Sequence, residues 1–369
     1  MKKICFFVDD ISLSGGLNRV NAVLACALAE DYEVWIGSLI SDGKSWCPLD
    51  PRIRVRYFQR KGLRLRQAVL QLHGPLKTFL RAEGFDIVVL QGFYPCVIVS
   101  PLRLVTQAKF LFCDHGCLRG EGTHPAIARW MGSRLCHRVV TLTERNLEDY
   151  VRFLRAPRKK LRCIPNWIDF SLPRSSQYQA QSRRILAAGR FSKEKRFDLL
   201  LRVFARVAET HPDWSLDLYG DGVLMPQLRQ LVSELGLEDH VSLPGMCPDL
   251  LSRYGDYAMY VLTSSREGLP LVLLEAKANR LPIVSFDVAT GPQEIVRHEV
   301  DGLLVSPGDE EELFRAICRL IADPGLRERM SLRSQENLSQ FEKSRVLAQW
   351  KRLLDELVPE KEGETSCLS

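Results

Sequence analysis

Residues 259–276 have the sequence MYVLTSSREGLPLVLLEA, and this stretch decides the predicted fold. The apolar residues Met259 to Leu262 predict a short buried strand, and the apolar run that begins at Leu271 predicts a helix. Pro270 suits an early helical position, where its missing N–H needs no partner. A strand that passes through a short turn into a helix is the unit from which parallel α/β sheets are built.

The same alternation of strands and helices fills the rest of the chain. The first half opens with an apolar run at 4–8, a Ser-Gly-Gly turn and a helical pattern at 17–29. Continuous apolar runs of this kind are expected of strands that are buried on both faces. Further strands are predicted in the first half at 33–39, 87–90, 109–113 and 139–142. A second series is predicted at 185–188, 215–219, 241–243, 259–262, 282–286 and 302–305, with helices between these strands and on to about residue 357.

The two series predict an α/β chain of two facing, doubly wound, Rossmann-like domains with an interdomain cleft. A length of 369 residues exceeds the size at which single cores stop growing, which also favours two domains. Residues 155–181 are rich in Pro, Arg, Ser and Gln, and they are predicted to form the linker. The domains are predicted at 1–165 and 166–340, followed at 341–369 by a helix that crosses back to the first domain and a flexible tail.

The positive charge is concentrated in the first half. Residues 1–172 carry 26 Lys and Arg against 15 Asp and Glu, a balance of +11, whereas the remaining residues carry 25 against 30, or −5. A basic half favours an anionic partner such as a phospholipid surface, a lipid pyrophosphate or nucleic acid. A solvated basic face explains the same charge equally well.

The targeting signals and the cysteines favour a cytoplasmic protein. Asp9 and Asp10 interrupt the first apolar run, which is too short for a signal peptide. The most apolar later stretch, 85–104, contains charged residues and two prolines and is not expected to span a membrane. Eleven cysteines without a Cys-x-x-Cys pair indicate neither a disulfide framework nor a zinc ribbon. We therefore expect a cytoplasmic location, with at most peripheral contact at the inner face of the cytoplasmic membrane.

Two glutamates, Glu267 and Glu275, carry the strongest chemical signal. They lie eight residues apart, close to two helical turns, on either side of the predicted helix start. Gly268 lets a ligand approach the backbone, and the free N–H groups of the first turn form an anion site at the carboxyl end of a strand. An isolated pair of this kind can also be one helix-capping glutamate and one solvated glutamate.

This pattern resembles the family-four retaining glycosyltransferases of GT-B fold, of the bacterial surface-polysaccharide type, in which two glutamates with seven residues between them follow a strand. The resemblance implies that Glu275 holds the ribose hydroxyls of a nucleotide sugar, with Gly268 and Leu269 beside the donor. It implies that Glu267 faces the donor sugar at the reacting centre as a catalytic residue. It also implies that the first domain meets the acceptor and the second binds the nucleotide sugar.

A second motif, Gly189-Arg190-Phe-Ser-Lys-Glu-Lys195, places fixed cations after a predicted strand. Arg190 and Lys195 can neutralise the charge that develops on a departing diphosphate without a metal ion. The matching Arg and Lys of the family bind the donor diphosphate. The family usually has Gly after the lysine, where Arg196 stands in this chain. As an isolated cluster, the same residues would form a solvated face.

Two N-terminal motifs extend the resemblance. Gly15 and Gly16 follow the first strand and match the family's glycine loop beside the donor phosphate, although Ser-Gly-Gly is also ordinary turn chemistry. His115 follows a later strand and matches the family's histidine that contacts the transferred sugar, although a lone histidine can also be structural. We assign Gly15 and Gly16 to donor binding and His115 to catalysis.

Three further segments match the family more loosely. The stretch Ile164-Pro-Asn166 resembles its hinge, and Gly291-Pro-Gln-Glu294 resembles a loop of its members that build surface polysaccharides. Trp350 belongs to the predicted last helix, where packing is the expected role. The resemblance covers nearly the whole chain but is specific only at 189–198 and 264–305.

The resemblance implies a retaining hexosyltransferase. The chain contains no Asp-x-Asp triplet of the metal-dependent sugar transferases, so we expect no cofactor and no metal requirement. The expected donor is a nucleotide sugar, with a UDP-linked hexose or N-acetylhexosamine favoured by the Gly-Pro-x-Glu analogy. The expected acceptor is a glycan or lipid-linked saccharide of cell-surface polysaccharide synthesis, such as a lipopolysaccharide precursor.

One surface and two rival functions stay open. The basic segment 52–81 either rests on an anionic membrane leaflet or forms a solvated helix pair. Its cations include Arg54, Arg56, Arg60, Lys61, Arg64, Arg66 and Lys77. A GT-B nucleotide-sugar epimerase would bind the donor diphosphate through the same residues but would need no acceptor. A non-catalytic nucleic-acid-binding protein would leave the glutamate pair unexplained. The chain also has no motif of interleaved aromatic and basic residues that would recognise nucleic acid. We therefore expect no nucleic-acid partner.

Overall fold

The structure is a computed structural model that describes residues 1–13, 15–40, 43–58, 65–119, 123–168 and 178–359. Of the predicted features, Arg60, Lys61, Arg64, residues 169–177 of the linker and the tail from 360 onward lie outside these residues. The chain divides into two compact units. The N-terminal unit comprises Met1–Ile164 and the chain from Val346 on, and the C-terminal unit comprises Pro165–Arg345.

The N-terminal unit is built on a seven-stranded parallel sheet. Its strands are β1 (Lys3–Val8), β2 (Glu33–Ser38), β3 (Arg54–Tyr57), β4 (Ile87–Gln91), β5 (Lys109–Asp114), β6 (Arg138–Thr141) and β7 (Leu161–Cys163). Their order across the sheet is β3-β2-β1-β4-β5-β6-β7, and every pair is parallel. The central strands are buried along their whole length, which is why they are apolar rather than alternating.

Helices connect these strands and cover the sheet. They are α1 (Gly16–Leu28), α2 (Leu65–Glu83), α3 (Phe93–Val99), α4 (Thr123–Leu135) and α5 (Glu144–Leu154). Thr143 caps α5 by accepting a hydrogen bond from the Asn146 N–H, and Arg155 ends that helix in the left-handed conformation. The direction of the chain reverses between β1 and β4, so the loops after these strands meet at one place on the carboxyl edge of the sheet.

The C-terminal unit repeats this plan with six parallel strands. They are β8 (Arg184–Ala188), β9 (Ser215–Tyr219), β10 (Val241–Gly245), β11 (Met259–Leu262), β12 (Ile283–Phe286) and β13 (Gly302–Val305). Their order is β10-β9-β8-β11-β12-β13, with the reversal between β8 and β11. The helices are α6 (Phe197–Thr210), α7 (Met225–Glu234), α8 (Leu250–Arg253), α9 (Leu271–Ala278), α10 (Pro292–Ile295), α11 (Glu310–Ala322) and α12 (Pro324–Arg333).

The last helix, α13 (Lys343–Leu357), belongs for most of its length to the N-terminal unit. Trp350 is 5% exposed and packs with the apolar face of the helix. Lys351 pairs with Asp31 at 2.5 Å, and Asp355 pairs with Lys2 at 2.5 Å. Chain from both ends of the sequence therefore completes this unit.

Two sequence predictions about the first half are wrong. Residues 155–181 are not a plain linker, because β7 at Leu161–Cys163 lies within them and pairs with β6. The basic segment 52–81 is not a helix pair, because β3 at Arg54–Tyr57 precedes α2. Both strands are short and lie at the edges of the sheet, where arginines, exposed in β3 and half-buried in β7, replace apolar residues and remove the signal. No described helix is long and apolar enough to cross a membrane.

Candidate active site

The candidate site of the C-terminal unit lies at the carboxyl ends of β8 and β11, which are neighbours at the reversal of the sheet. The loop after β8 contains Gly189, Arg190 and Lys195, and the loop after β11 contains Glu267 and the start of α9. Open parallel sheets bind their ligands at this position.

Hydrogen bonds hold the two loops against each other. The Ser265 N–H donates to the Glu194 carbonyl oxygen at 2.7 Å, and the Thr263 hydroxyl donates to the Lys195 carbonyl oxygen at 2.9 Å. Lys195 Nζ lies 2.6 Å from Glu267 Oε1, and their side chains are 19% and 10% exposed. The structure therefore brings together the lysine and the first glutamate that the sequence motifs predicted.

A third loop supports Glu267 from the other side. The Thr290 hydroxyl donates to the Glu267 carbonyl oxygen at 2.5 Å. Gly291 has φ +99°, and a Cβ added there would lie 2.8 Å from the Gly268 carbonyl oxygen and 2.7 Å from Pro270 Cδ. Only glycine fits this backbone and this space. The Gly-Pro-x-Glu segment thus positions the glutamate loop.

Glu275, the second glutamate, is half-buried inside α9. Its Oε2 accepts a hydrogen bond from the Tyr254 hydroxyl at 3.2 Å, and the Tyr254 ring stacks on Tyr260 with 6.1 Å between centroids. Burial, opposed by a backbone hydrogen bond from Ala188, raises the pKa of Tyr260, and the charges of Glu275 and Glu267 raise it further. Both carboxylates therefore act on one tyrosine, which the sequence motifs did not identify.

Arg190 is exposed and lies directly after Gly189. Burial alone would raise the pKa of Glu194, but the Ser192 hydroxyl and the charges of Lys195 and Arg190 hold it below its ordinary value. The three charged residues thus form one mainly cationic loop. Its backbone is also tightly packed, because a Cβ added at Gly220 would lie 1.9 Å from the Gly189 carbonyl oxygen.

The start of α9 differs in one detail from the prediction. Pro270 is not the first helical residue but the residue before it, with extended backbone at φ −71° and ψ 107°. Helix α9 begins at Leu271, and among the described residues no side chain caps its first turn. Leu269 is buried, and Gly268 is half-buried with its carbonyl oxygen close to Gly291. The first-turn N–H groups thus lie at the same edge of the sheet as Glu267.

The N-terminal unit carries the remaining predicted residues, Gly15, Gly16 and His115, after two strands of its sheet. Gly15, with φ 151°, precedes α1, and Gly16 is the first residue of that helix after β1. Gly92 begins the corresponding turn after β4. His115 directly follows β5. Since β1, β4 and β5 are consecutive in the sheet, these residues share its carboxyl edge.

His115 is held by a neighbour that the sequence motifs missed. Its Nε2 lies 2.6 Å from Oε1 of Gln91, the last residue of β4. Burial lowers the pKa of His115 to about 4, although the nearby Asp114 opposes this shift. The imidazole is therefore neutral near pH 7; since its Nε2–H is donated to Gln91, its Nδ1 can accept a hydrogen bond from a sugar hydroxyl.

A buried ion pair fixes the loop that carries His115. Asp114 and Arg129 are 0% and 1% exposed, with Oδ2 2.7 Å from Nε. The Tyr150 hydroxyl and the Gly116 N–H also donate to this carboxylate, at 2.9 and 3.1 Å. Burial would raise the pKa of Asp114, but Arg129 and these donors keep it below its ordinary value. The signal in the sequence was an aspartate at the end of an otherwise apolar strand.

The described residues contain no group of three or more His, Cys, Asp and Glu that is placed to hold a metal ion. The cysteines in the described part of the chain are free thiols. Cys5, Cys96 and Cys113 are buried in the core. Burial raises the pKa of each thiol, which disfavours the reactive thiolate form.

Comparisons with known proteins agree with this geometry. The family described as Glycosyltransferase Family 4 matches residues 14–172, and the family described as Glycosyl transferases group 1 matches residues 171–337. An uncharacterized glycosyltransferase of Haemophilus influenzae is 29% identical over 96% of this chain and 100% of its own length. The amylovoran biosynthesis glycosyltransferase AmsD of Erwinia amylovora is 26% identical over the same shares.

Solved structures share the fold. A crystal structure of Anabaena Alr3699/HepE in complex with UDP and glucose has a TM-score of 0.83 at 20% identity, covering 96% of this chain and 100% of that one. The two family matches adjoin and together run from residue 14 to residue 337. The chain therefore belongs to the glycosyltransferases of GT-B fold, with a family-four N-terminal half and a group-one C-terminal half.

Proposed function

We propose that this glycosyltransferase moves a hexosyl or N-acetylhexosaminyl group from a UDP-sugar to a glycan or lipid-linked saccharide, with retention of anomeric configuration and without a metal ion. The observation that carries the proposal is the contact between Lys195 and Glu267 across the loops after β8 and β11. A cation for the diphosphate and a carboxylate for the sugar then lie side by side.

The donor assignment is supported by the charges of the site. Arg190 and Lys195 lie on one loop, and α9 presents its first-turn N–H groups at the same sheet edge. Charge-assisted hydrogen bonds from such groups bind phosphate oxygens strongly. Glu275 then faces the ribose hydroxyls, with Tyr254 orienting its carboxylate at 3.2 Å. UDP is favoured over other nucleotides by the structural relative that was solved with UDP and glucose.

The proposed reaction begins when the bond between the anomeric carbon and the diphosphate oxygen breaks. The diphosphate takes the electron pair, and Arg190 and Lys195 stabilise the negative charge that develops on it. A diphosphate that binds Lys195 replaces Glu267 as its partner and leaves the glutamate beside the sugar. The acceptor hydroxyl forms the new bond on the face that the diphosphate leaves, and its proton passes to an oxygen of the departing diphosphate. The neutral His115 holds a hydroxyl of the transferred sugar.

The acceptor assignment is supported by the amylovoran relative and by the charge of the first half. Residues 1–172 carry a balance of +11, which favours an acceptor that bears phosphate or lipid pyrophosphate. We propose that the protein works in the cytoplasm and contacts the inner face of the membrane where such an acceptor is held.

A turnover assay tests the proposal. The protein is incubated with UDP-glucose, UDP-galactose or their N-acetylated forms, with and without a polyprenyl-pyrophosphate-linked saccharide, and UDP release and product configuration are measured. Acceptor-dependent release of UDP and a product with the donor's anomeric configuration are expected. An epimerised sugar nucleotide formed from the donor alone, or an inverted product, would contradict the proposal.

A further inference from the structure

Helix α4 presents an unusual outward face. Ile127 and Trp130 are 48% and 54% exposed, whereas the charged Arg129 is 1% exposed and bonded to Asp114. Helices on a water-facing surface normally bury their apolar stripe and expose their charges. Helix α4, which contains no acidic residue, instead exposes two large apolar side chains and buries one arginine.

Arg134 connects this face of α4 to the end of α5. Arg134 lies one turn beyond Trp130, and its Nη2 donates to the Leu154 carbonyl oxygen at 3.3 Å. The neighbouring Phe153 is 51% exposed, and Arg152 lies 5.3 Å from the centre of its ring. We call Ile127, Trp130, Arg134, Arg152 and Phe153 the α4–α5 face.

A further cation, Lys160, lies beside the α4–α5 face. Lys160 donates to the carbonyl oxygens of Ser133, Arg134 and Cys136 at the end of α4. Burial lowers the pKa of Lys160, and the charges of Arg103 and Arg134 lower it further.

The acidic residues of α5 are paired with arginines, one of which, Arg119, lies 5.6 Å from the centre of the Phe153 ring. Glu144 and Glu148 lie 3.8 and 4.0 Å from Arg158, and Asp149 pairs with Arg119 at 2.6 Å. The α4–α5 face thus combines exposed aromatic and aliphatic groups with an excess of positive charge.

We propose that the α4–α5 face docks on an anionic lipid bilayer. Trp and Phe favour the headgroup region of a membrane, and arginines at the same level bind lipid phosphates. This surface differs from the segment at 52–81, where Arg52 pairs with Asp50 at 2.7 Å and Arg54 lies 3.6 Å from Glu33. The inference deepens the proposed function, because it identifies the surface through which the enzyme reaches a lipid-held acceptor.

Vesicle flotation of the whole protein tests this proposal. Vesicles of phosphatidylcholine containing about one third phosphatidylglycerol are compared with pure phosphatidylcholine. The double variant Ile127→Ser with Trp130→Ser removes two exposed side chains and is expected to lower binding to anionic vesicles by about tenfold or more. Arg152→Glu is expected to weaken the same binding and its salt dependence. Leu70→Ser removes a 78% exposed side chain on α2 and serves as the matched control with unchanged binding.

Three outcomes would overturn the proposal. The first is wild-type protein that does not bind anionic vesicles, and the second is an Ile127→Ser, Trp130→Ser variant that binds them as the wild type does. Sedimentation of both proteins without lipid identifies a third contrary result, a dimer that the double variant converts to monomer while vesicle binding stays absent. Turnover with a water-soluble saccharide acceptor is measured in parallel. Absence of that turnover in the wild type would contradict the proposed function, whereas the difference in vesicle binding between the wild type and the double variant reports on the α4–α5 face.

Discussion

Lys195 Nζ lies 2.6 Å from Glu267 Oε1, so one ion pair joins the loops that follow two neighbouring strands of the C-terminal sheet. A donor diphosphate at this site competes with a carboxylate for the same ammonium group. The pair thus couples donor binding to the position of the proposed catalytic glutamate.

Replacing Lys195 tests this coupling. Lys195→Ala is expected to weaken UDP-sugar binding by about tenfold or more, because it removes a charge-assisted contact to the diphosphate. Isothermal titration with UDP measures the loss. Lys193→Ala changes an exposed lysine in the same turn and is expected to bind UDP as the wild type does. Equal affinities of the two variants would remove Lys195 from the donor site.

The two glutamates are expected to affect different kinetic constants. Glu275→Ala should raise the donor KM, because the ribose loses its partner, whereas Glu267→Ala should lower kcat with little change in KM. Steady-state kinetics with varied donor concentration separates these effects. If both variants kept wild-type constants, the roles of the pair would be wrong.

Gly291→Ala is expected to reduce activity strongly while the fold persists. The added Cβ would meet the Gly268 carbonyl oxygen at 2.8 Å, and the backbone at φ +99° is strained for alanine, at about 1–3 kcal/mol. The movement of the loop displaces Glu267. Gly84→Ala is the control, because Gly84 also has positive φ, at +60°, but no atom within 4 Å of an added Cβ. It should lower thermal stability and leave kcat unchanged; a similar loss of kcat in both variants would refute the local explanation.

The pH dependence of His115 follows from its lowered pKa. The folded pKa of about 4 lies below the ordinary value, so the unfolded chain binds a proton first as the pH falls. The contribution of His115 to stability is complete above about pH 6.5 and is lost as the pH falls towards 4. Urea unfolding at several pH values should therefore show a smaller loss over this range in His115→Asn than in the wild type. An identical pH dependence would show that His115 titrates normally.

Turnover is expected to continue in the presence of EDTA, since the proposed site neutralises the diphosphate with side chains alone. UDP release measured before and after exhaustive chelation provides the test. Activity that disappears and returns only with a divalent cation would establish a metal requirement.

The sequence predicted the buried parts of the fold well. Strands β9, β11 and β13 occur at the predicted residues, because unbroken apolar runs between turn residues leave few alternatives. The edge strands β3 and β7 were missed, since a strand with one solvated face and few residues carries little pattern.

The candidate site was predicted only where motifs are local. Lys195 and Glu267 were both identified, but their contact depends on the order of strands in the sheet, which spacing along the chain does not reveal. Tyr254, Gln91 and Thr290 were missed for the same reason. Each is an ordinary polar or aromatic residue whose importance comes from a partner that is 21 to 24 positions away along the chain.

Helix α13 has a consequence for the order in which the protein is made. The N-terminal unit buries the apolar face of α13, including Trp350, yet this helix leaves the ribosome only after the whole C-terminal unit. The C-terminal unit can therefore finish folding first. Until α13 is made, the surface of the N-terminal half that this helix covers, including Asp31, stays exposed to solvent. We therefore expect the half of the chain that emerges first to complete its packing last.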